Sequence, residues 1–374
     1  MKRVILAVIA ALQLALGARM LVTLARTAGG TRVRASTRPV PPSVGILVPV
    51  LNEAGRLAPC LEGIISSGPE VAEIVVIDGG STDDTVAIVR RFQERDARIR
   101  LVETVPPDGT NGKAHGLEAG RQLLATEWVL TIDADVRPEQ HLAASLVAHA
   151  EAERVNILSV ATRQWLGDRL DHLVHPSMLA SLVYRLGIPG RATDDPRLIQ
   201  ANGQCMLIRT SLLNRLGGFK PYAHTIAEDI GLAQAAARSG ERVGFYETDD
   251  LVSVAMYAHG VETALNWSRS LSLRESRSRN AQILDLAGIL LLQAAPPALY
   301  VLSRERSSVA QAINAGLISL RLGLLAGTRR AYRNPGPLYW LSPAADVPVW
   351  LLLALRSVQR SFTWRGRRVH QGEP

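Results

Sequence analysis

The sequence predicts an α/β domain on a mostly parallel sheet, flanked at both ends by membrane helices. Two patterns point there: β-rich runs alternate with helical patterns from residue 44 to about 257, and outside them lie apolar stretches near one bilayer thickness. Composition agrees. With 47% hydrophobic and only 20% charged residues, a disordered chain is excluded and part of the surface is expected to face lipid.

The chain opens on residues 4–25, apolar except for Gln13, Arg19 and Thr23 and close to the roughly 20 residues a spanning helix needs. Lys2 and Arg3 precede it, a layout shared by a cleaved signal peptide ending near Gly17-Ala18. The far side argues otherwise. Arg26, Arg32, Arg34 and Arg38 outnumber the two leading positive charges, so the positive-inside rule keeps the downstream domain in the cytoplasm. Residues 1–26 therefore read as a signal anchor in the cell membrane, and residues 27–43, basic and carrying Pro39, Pro41 and Pro42, read as a linker.

The α/β domain is expected over residues 44–279, with strands at 44–51, 73–77, 98–104, 128–133, 156–160 and 242–246. Residues 280–374 form a membrane-associated region. Within it, residues 283–302 contain Pro296-Pro297 and residues 309–326 contain Arg321, and the two suit a membrane hairpin over 283–326. Residues 338–355 are interrupted by Pro343, Asp346 and Pro348, which suits a re-entrant or interfacial segment, with a true third span as the alternative. A basic tail comes last. The arginines, which give the chain 42 Lys+Arg against 34 Asp+Glu, sit beside apolar segments without interleaved aromatics, so the +8 charge is assigned to a membrane and not to nucleic acid. Cys60 and Cys205 are too few for a disulfide framework, as suits a reducing compartment.

Acidic residues fall at the ends of expected strands and at the start of a helix. In a parallel sheet, ligands bind outside the carboxyl ends of strands, so Asp78, with Gly79-Gly80 next in the chain, either meets a nucleotide or closes a turn. Asp133 and Asp135 lie two residues apart and project to one side, where their oxygens suit Mg²⁺ or Mn²⁺ bridging a diphosphate; a solvated turn is the alternative. Glu228 and Asp229 precede an alanine-rich helix. They either complement its positive end or provide a general base.

Pro49-Val50-Leu51-Asn52-Glu53, Asp78-Gly79-Gly80-Ser81-Thr82-Asp83, Gly112-Lys113-Ala114-His115, Asp133-Ala134-Asp135 and Glu228-Asp229 occur in that order. The stretch from 44 to about 274 thereby resembles the inverting family 2 glycosyltransferases, whose Rossmann-like fold is called GT-A. The resemblance implies that Pro49, Asn52, Glu53 and Asp78 border the nucleotide, with Lys113 near its diphosphate or base. It further implies that Asp133 serves the nucleotide sugar and, with Asp135, a divalent cation, and that Asp229, beside Glu228, is the base. The donor it implies is a nucleotide sugar, a UDP-linked hexose. Processive and sphingolipid members carry a Gln/Arg-x-x-Arg-Trp motif; here Asn266-Trp267-Ser268-Arg269-Ser270-Leu271 departs from it, leaving Arg269 as the candidate cation for the leaving group. That departure weakens a polysaccharide synthase reading. Met256-Tyr257, the flanking apolar segments and Thr363-Trp364-Arg365-Gly366-Arg367 look more like the membrane-bound branch that glycosylates carotenoids, hopanoids or related lipids, which implies a lipid or terpenoid acceptor.

A sugar-phosphate nucleotidyltransferase would need a glycine- and arginine-rich phosphate loop where this chain has Asn52-Glu53-Ala54-Gly55-Arg56. A noncatalytic membrane scaffold that kept the fold stays open as the alternative, with the full acidic set arguing against it. His172 and His175, with Asp168 and Asp171, have ligand-like spacing but fit an amphipathic pattern, so a helix face is preferred to zinc. The stretch Gln200-Ala201-Asn202-Gly203-Gln204 is open between a polar turn and a lining of the acceptor site. Nothing in the sequence fixes the oligomeric state.

Overall fold

The computed structural model describes residues 2–38, 40–225, 227–271, 278–359, 361–364 and 367–370. Arg360, Arg365 and Gly366 of the expected basic tail, and Pro39 of the linker, lie outside the described residues. In chain order the first half contains α1 (Lys2–Thr27), β1 (Arg32–Val33), β2 (Val44–Val50), α2 (Leu57–Ile65), β3 (Val71–Asp78), α3 (Thr85–Gln93), β4 (Ile99–Glu103), α4 (Gly112–Arg121) and β5 (Trp128–Ile132). It continues with β6 (Val136–Pro138), α5 (Leu142–Glu153), β7 (Ile157–Ala161), β8 (Arg163–Gln164), α6 (Asp171–Leu186), β9 (Arg191–Thr193), β10 (Cys205–Arg209), α7 (Thr210–Arg215), α8 (Glu228–Arg238), β11 (Val243–Thr248) and β12 (Val252–Val254).

The strands build a nine-stranded sheet in the order β1-β11-β7-β10-β5-β2-β3-β4, with β9 on β11. Pairings are parallel except those of β10 and β9. All six expected strands are present within two residues of their expected ends. β2 and β5 are almost wholly buried because helices cover both sheet faces, which is why they read as unbroken apolar runs. Helix α4 lies tight on the sheet: a Cβ added at Gly120 would meet Ile77 at 2.8 Å.

Two features of the sheet depart from the sequence reading. β10 is an antiparallel strand between β5 and β7 that was not among the six expected strands, a five-residue element too short for a clear period. Because it runs opposite to β5, the loop before it, Asn202-Gly203-Gln204, reaches the same edge as the carboxyl end of β5, and Asp133 N donates to Gln204 O at 3.0 Å. The stretch read as a linker also contributes β1, which pairs with β11.

The C-terminal region contains α9 (Gly260–Glu262), a π-helical turn Thr263–Trp267, α10 (Ser268–Leu271), α11 (Arg279–Ile289), a second π-helical turn Leu290–Ala294, α12 (Pro296–Ser303) and α13 (Ser308–Thr328). A 3-10 helix, Pro337–Ala345, runs into α14 (Asp346–Val358). Three helical stretches are long and apolar enough to cross a membrane: Arg3–Thr27, Ser308–Ala331 and Pro337–Val358. The break expected in the third segment falls in the first hairpin arm instead, where Arg279–Ala294 and Pro296–Ser303 meet at 59°. Pro296 starts a helix, where a missing N–H costs nothing, while Pro348 sits in the first turn of α14 and does not interrupt it. Arg321 and Asp346, inside the second and third of these stretches, are paired: Arg321 Nε lies 2.9 Å from Asp346, which also accepts from Ser177 Oγ at 2.6 Å and Gln293 Nε2 at 2.8 Å. Gln13 of α1 donates to Asn314 of α13 at 2.8 Å. Outward-facing side chains such as Val4, Val8, Leu14, Val301, Leu341 and Leu355 are exposed and apolar, as lipid contact requires.

Candidate active site

The carboxyl ends of β2, β3 and β5 open on one edge of the sheet, and the start of α8 approaches the same edge. Lys113, in the first turn of α4, joins them: its Nζ lies 2.7 Å from Asp133 Oδ1 and 3.0 Å from Glu228 Oε1, and donates to Gly203 O at 3.2 Å. Burial disfavours the ammonium charge, but the carboxylates of Asp133, Glu228 and Asp229 outweigh it and hold the lysine charged, well above its usual range. Asn111 fixes this arrangement. Its side-chain oxygen caps α4 through the N–H groups of Lys113 and Ala114, and its Nδ2 donates to Glu228 Oε2 at 3.0 Å.

Asp229 lies in the first turn of α8, where Oδ2 accepts from Gly203 N at 2.6 Å and Oδ1 from its neighbour Ile230 N at 2.8 Å. Burial and the neighbouring Glu228 push its carboxyl up to about 6. Asp135 is pushed up further, to about 7, by burial and by Asp133, and its Oδ1 is buried without a partner among the described residues. An orphaned carboxylate oxygen beside a second carboxylate suits a cation. Among the described residues no group of three or more His, Cys, Asp or Glu could hold a metal by itself. A hard cation here would take its remaining oxygens from a diphosphate and water, as Mg²⁺ usually does.

Glu53 is held by Arg56, whose Nη2 lies 2.8 Å away, and Arg56 reaches Met256 O at 2.9 Å. Asn52 sits at φ 54° and accepts from Thr82 N at 2.8 Å, so the loop after β2 is tied to the one after β3. Asp78 differs from the other candidates. It is buried, and its carboxylate accepts from the N–H groups of Gly80 and Ser81 at 2.9 and 3.0 Å, closing the turn. It does not line the cavity that contains the others.

That cavity, of about 1400 Å³, is lined at the sheet edge by Pro49, Asn52, Glu53, Lys113, Asp133, Asp135, Glu228 and Asp229. It continues past Arg269 and Trp267 to Arg19 of α1, His175 and Leu179 of α6 and Leu324 of α13. Arg269 is thus in the same cavity as the carboxylates, and burial lowers its guanidinium from its usual range. The two histidines have separate neighbours: His175 Nδ1 meets Tyr332 Oη at 3.1 Å, whereas Gly336 N donates to His172 at 3.4 Å. The loop Asn202-Gly203-Gln204 lines the cavity and contacts Lys113 and Asp229. Asn111, which the sequence reading passed over, had a legible signal: an asparagine directly before a helix start.

Residues 45–217 match the family described as Glycosyl transferase family 2. The "Probable glycosyltransferase YdaM" of Bacillus subtilis (strain 168) is 24% identical over 207 residues, 55% of this chain and 49% of that protein. A "PGL/p-HBAD biosynthesis glycosyltransferase" of Mycobacterium tuberculosis (strain ATCC 25177 / H37Ra) is 33% identical over 94 residues, 25% of this chain and 36% of that protein. The chain therefore spans about half the length of the first and about a third of the second. The solved structure of mannosyltransferase PcManGT from Pyrobaculum calidifontis, in complex with GDP-Man and Mn²⁺, superposes with a TM-score of 0.55 at 21% identity, covering 94% of this chain and 99% of that one. It shares the fold. The likenesses together support a glycosyltransferase.

Proposed function

We propose that this chain, whose residues 45–217 carry a Glycosyl transferase family 2 domain, moves a hexose with inversion from a nucleotide sugar to a hydroxyl of a membrane lipid or terpenoid. One observation carries the reading: a single cavity joins a lysine-centred carboxylate cluster at the sheet edge to the apolar helices α1, α6 and α13. The donor enters at the edge formed by Pro49, Asn52 and Glu53, with Asp78 shaping the turn behind them. Lys113 and Arg269 supply positive charge toward the diphosphate. A divalent cation on Asp135, with Asp133 adjacent, would add charge neutralisation for the departing diphosphate. Asp229 accepts the acceptor's hydroxyl proton as that oxygen bonds to the anomeric carbon, and the bond from that carbon to the diphosphate oxygen breaks. The nucleoside diphosphate leaves with the bond's electron pair, and no covalent enzyme intermediate forms.

Donor and cation of the classes named for the Pyrobaculum enzyme suit this cluster, and the resemblance favours UDP as the nucleotide. The cytoplasmic face is favoured by the arginines after α1. The test uses full-length protein in nanodiscs of bacterial lipids with UDP-glucose, UDP-galactose or GDP-mannose and Mn²⁺ or Mg²⁺. The expected result is release of nucleoside diphosphate together with a lipid product heavier by one hexose. Absence of both products with every donor and cation overturns the assignment.

A further inference from the structure

Among the described residues, three side chains lining the cavity have a buried polar atom without a partner: Asp135 Oδ1, Gln164 Oε1 and His175 Nε2. The first belongs to the cation site. The other two lie along one connected path away from it. Gln164 in β8 and Val136 in β6 both pair with Val254 in β12, so Gln164 stands two strands from the residue after Asp135. The backbone of Gln164 in turn forms a parallel β-bridge with that of Tyr332, whose hydroxyl meets His175 Nδ1 at 3.1 Å, and the His175 ring stacks on Trp267 with centroids 4.2 Å apart. The path leads from the carboxylates toward the apolar helices.

The amide orientation of Gln164 is fixed, because its Nε2 donates to the carbonyl of Thr162 at 3.2 Å, a group that can only accept. Its Oε1 can therefore only accept, and it is more than nine-tenths buried, as is His175. Leaving such an atom unmatched costs on the order of 1–3 kcal/mol, so a ligand reaching it must bring a donor. A hydroxyl does so. It also satisfies His175 Nε2 in either tautomer, since a hydroxyl both donates and accepts. An ionised phosphate offers only acceptor oxygens and would face Gln164 Oε1 unfavourably. Burial lowers His175 to about 4, so at neutral pH it is uncharged and has no ion pair to offer a phosphate.

We propose that Gln164 and His175, with the indole of Trp267 stacked on the imidazole, form a subsite for the acceptor's head, and that this head is neutral and hydroxylated, not a lipid phosphate. The subsite rests on the glycosyltransferase reading for its purpose but not for its test. The probes are dodecyl β-D-glucoside and dodecyl phosphate, titrated without any donor into the full-length protein in phosphatidylcholine nanodiscs and monitored by tryptophan fluorescence. The glucoside is expected to saturate and the phosphate not to compete at the same concentrations. Gln164→Met and His175→Phe are each expected to raise the half-saturating concentration about tenfold, the factor that one lost buried hydrogen bond represents. Gln164→Met is close in size to the native residue and carries the test if His175→Phe does not fold. Tighter binding of the phosphate, or a half-saturating concentration changed less than about twofold in Gln164→Met, overturns the proposal. Protein that binds the glucoside but never turns over a nucleotide sugar would contradict the proposed function and leave this subsite standing.

Discussion

Lys113 does more than one job at the residue scale. Its ammonium separates two carboxylates, Asp133 and Glu228, that would otherwise repel each other across a buried cleft. Lys113→Met should destabilise the domain by about 3–5 kcal/mol, the range found when one partner of a buried ion pair is removed, and thermal unfolding measures it. Asp229 predicts a pH dependence with a definite sign. A base must be ionised, and this carboxyl is raised to about 6, so kcat/KM should fall by about tenfold per pH unit below that value and level off above it. A profile flat from neutral down to the usual carboxylate range contradicts the assignment. Asp133, Asp135, Glu228 and Asp229 were legible as one set only through their order with the other motifs, because singly each also fitted a turn or a helix start; the structure brings all four to one cavity. Asp78 was not legible between its two readings: the same Asp-Gly-Gly sequence serves a ligand or a turn, and only the hydrogen bonds from Gly80 and Ser81 show its carboxylate engaged in the turn. Gly203 fell in a stretch read as either a polar turn or a lining of the acceptor site, but its contacts to Lys113 and Asp229 were not legible, since it acts through backbone N–H and C=O groups that almost any residue type has.

Short elements account for what the sequence concealed at the next scale. The five residues of β10 carry no period long enough to separate strand from helix, yet their antiparallel insertion brings Gly203 and Gln204 to the carboxylate-lined edge. The prolines misled for a related reason: their effect depends on helix position, and Pro348 falls in a first turn while Pro296 falls at a break. Arg321 and Asp346, each of which looked like a flaw in an apolar segment, become one buried ion pair between α13 and the start of α14. Asp346→Leu alone should destabilise the helical region by about 3–5 kcal/mol, by stranding the guanidinium. The double variant Arg321→Met with Asp346→Leu should recover most of that loss. Unfolding monitored in detergent by tryptophan fluorescence compares the two, and a double variant worse than the single one contradicts the pairing account.

The whole molecule joins a sheet edge lined by carboxylates and Lys113 to helices long and apolar enough to cross a membrane, and one cavity is lined by both. Both halves were visible in composition, because apolar runs near one membrane thickness and an alternating α/β pattern are long-range signals; the continuity of the cavity was not, since it depends on how α1, α6 and α13 meet the carboxylate-lined edge. Membrane residence predicts that the protein stays in the pellet after an alkaline carbonate wash, and recovery in the supernatant contradicts it. Chelation with EDTA should abolish transfer, with Mn²⁺ or Mg²⁺ restoring it, because Asp135 Oδ1 has no partner among the described residues to neutralise it. The most direct measurement pairs donor binding with turnover in Asp229→Asn, using full-length protein in nanodiscs with its metal present. The amide keeps the size of the side chain and removes the base, so the donor's Kd should stay within about threefold of wild type while kcat falls by about a thousandfold. Turnover near the wild-type rate in that variant would contradict the account.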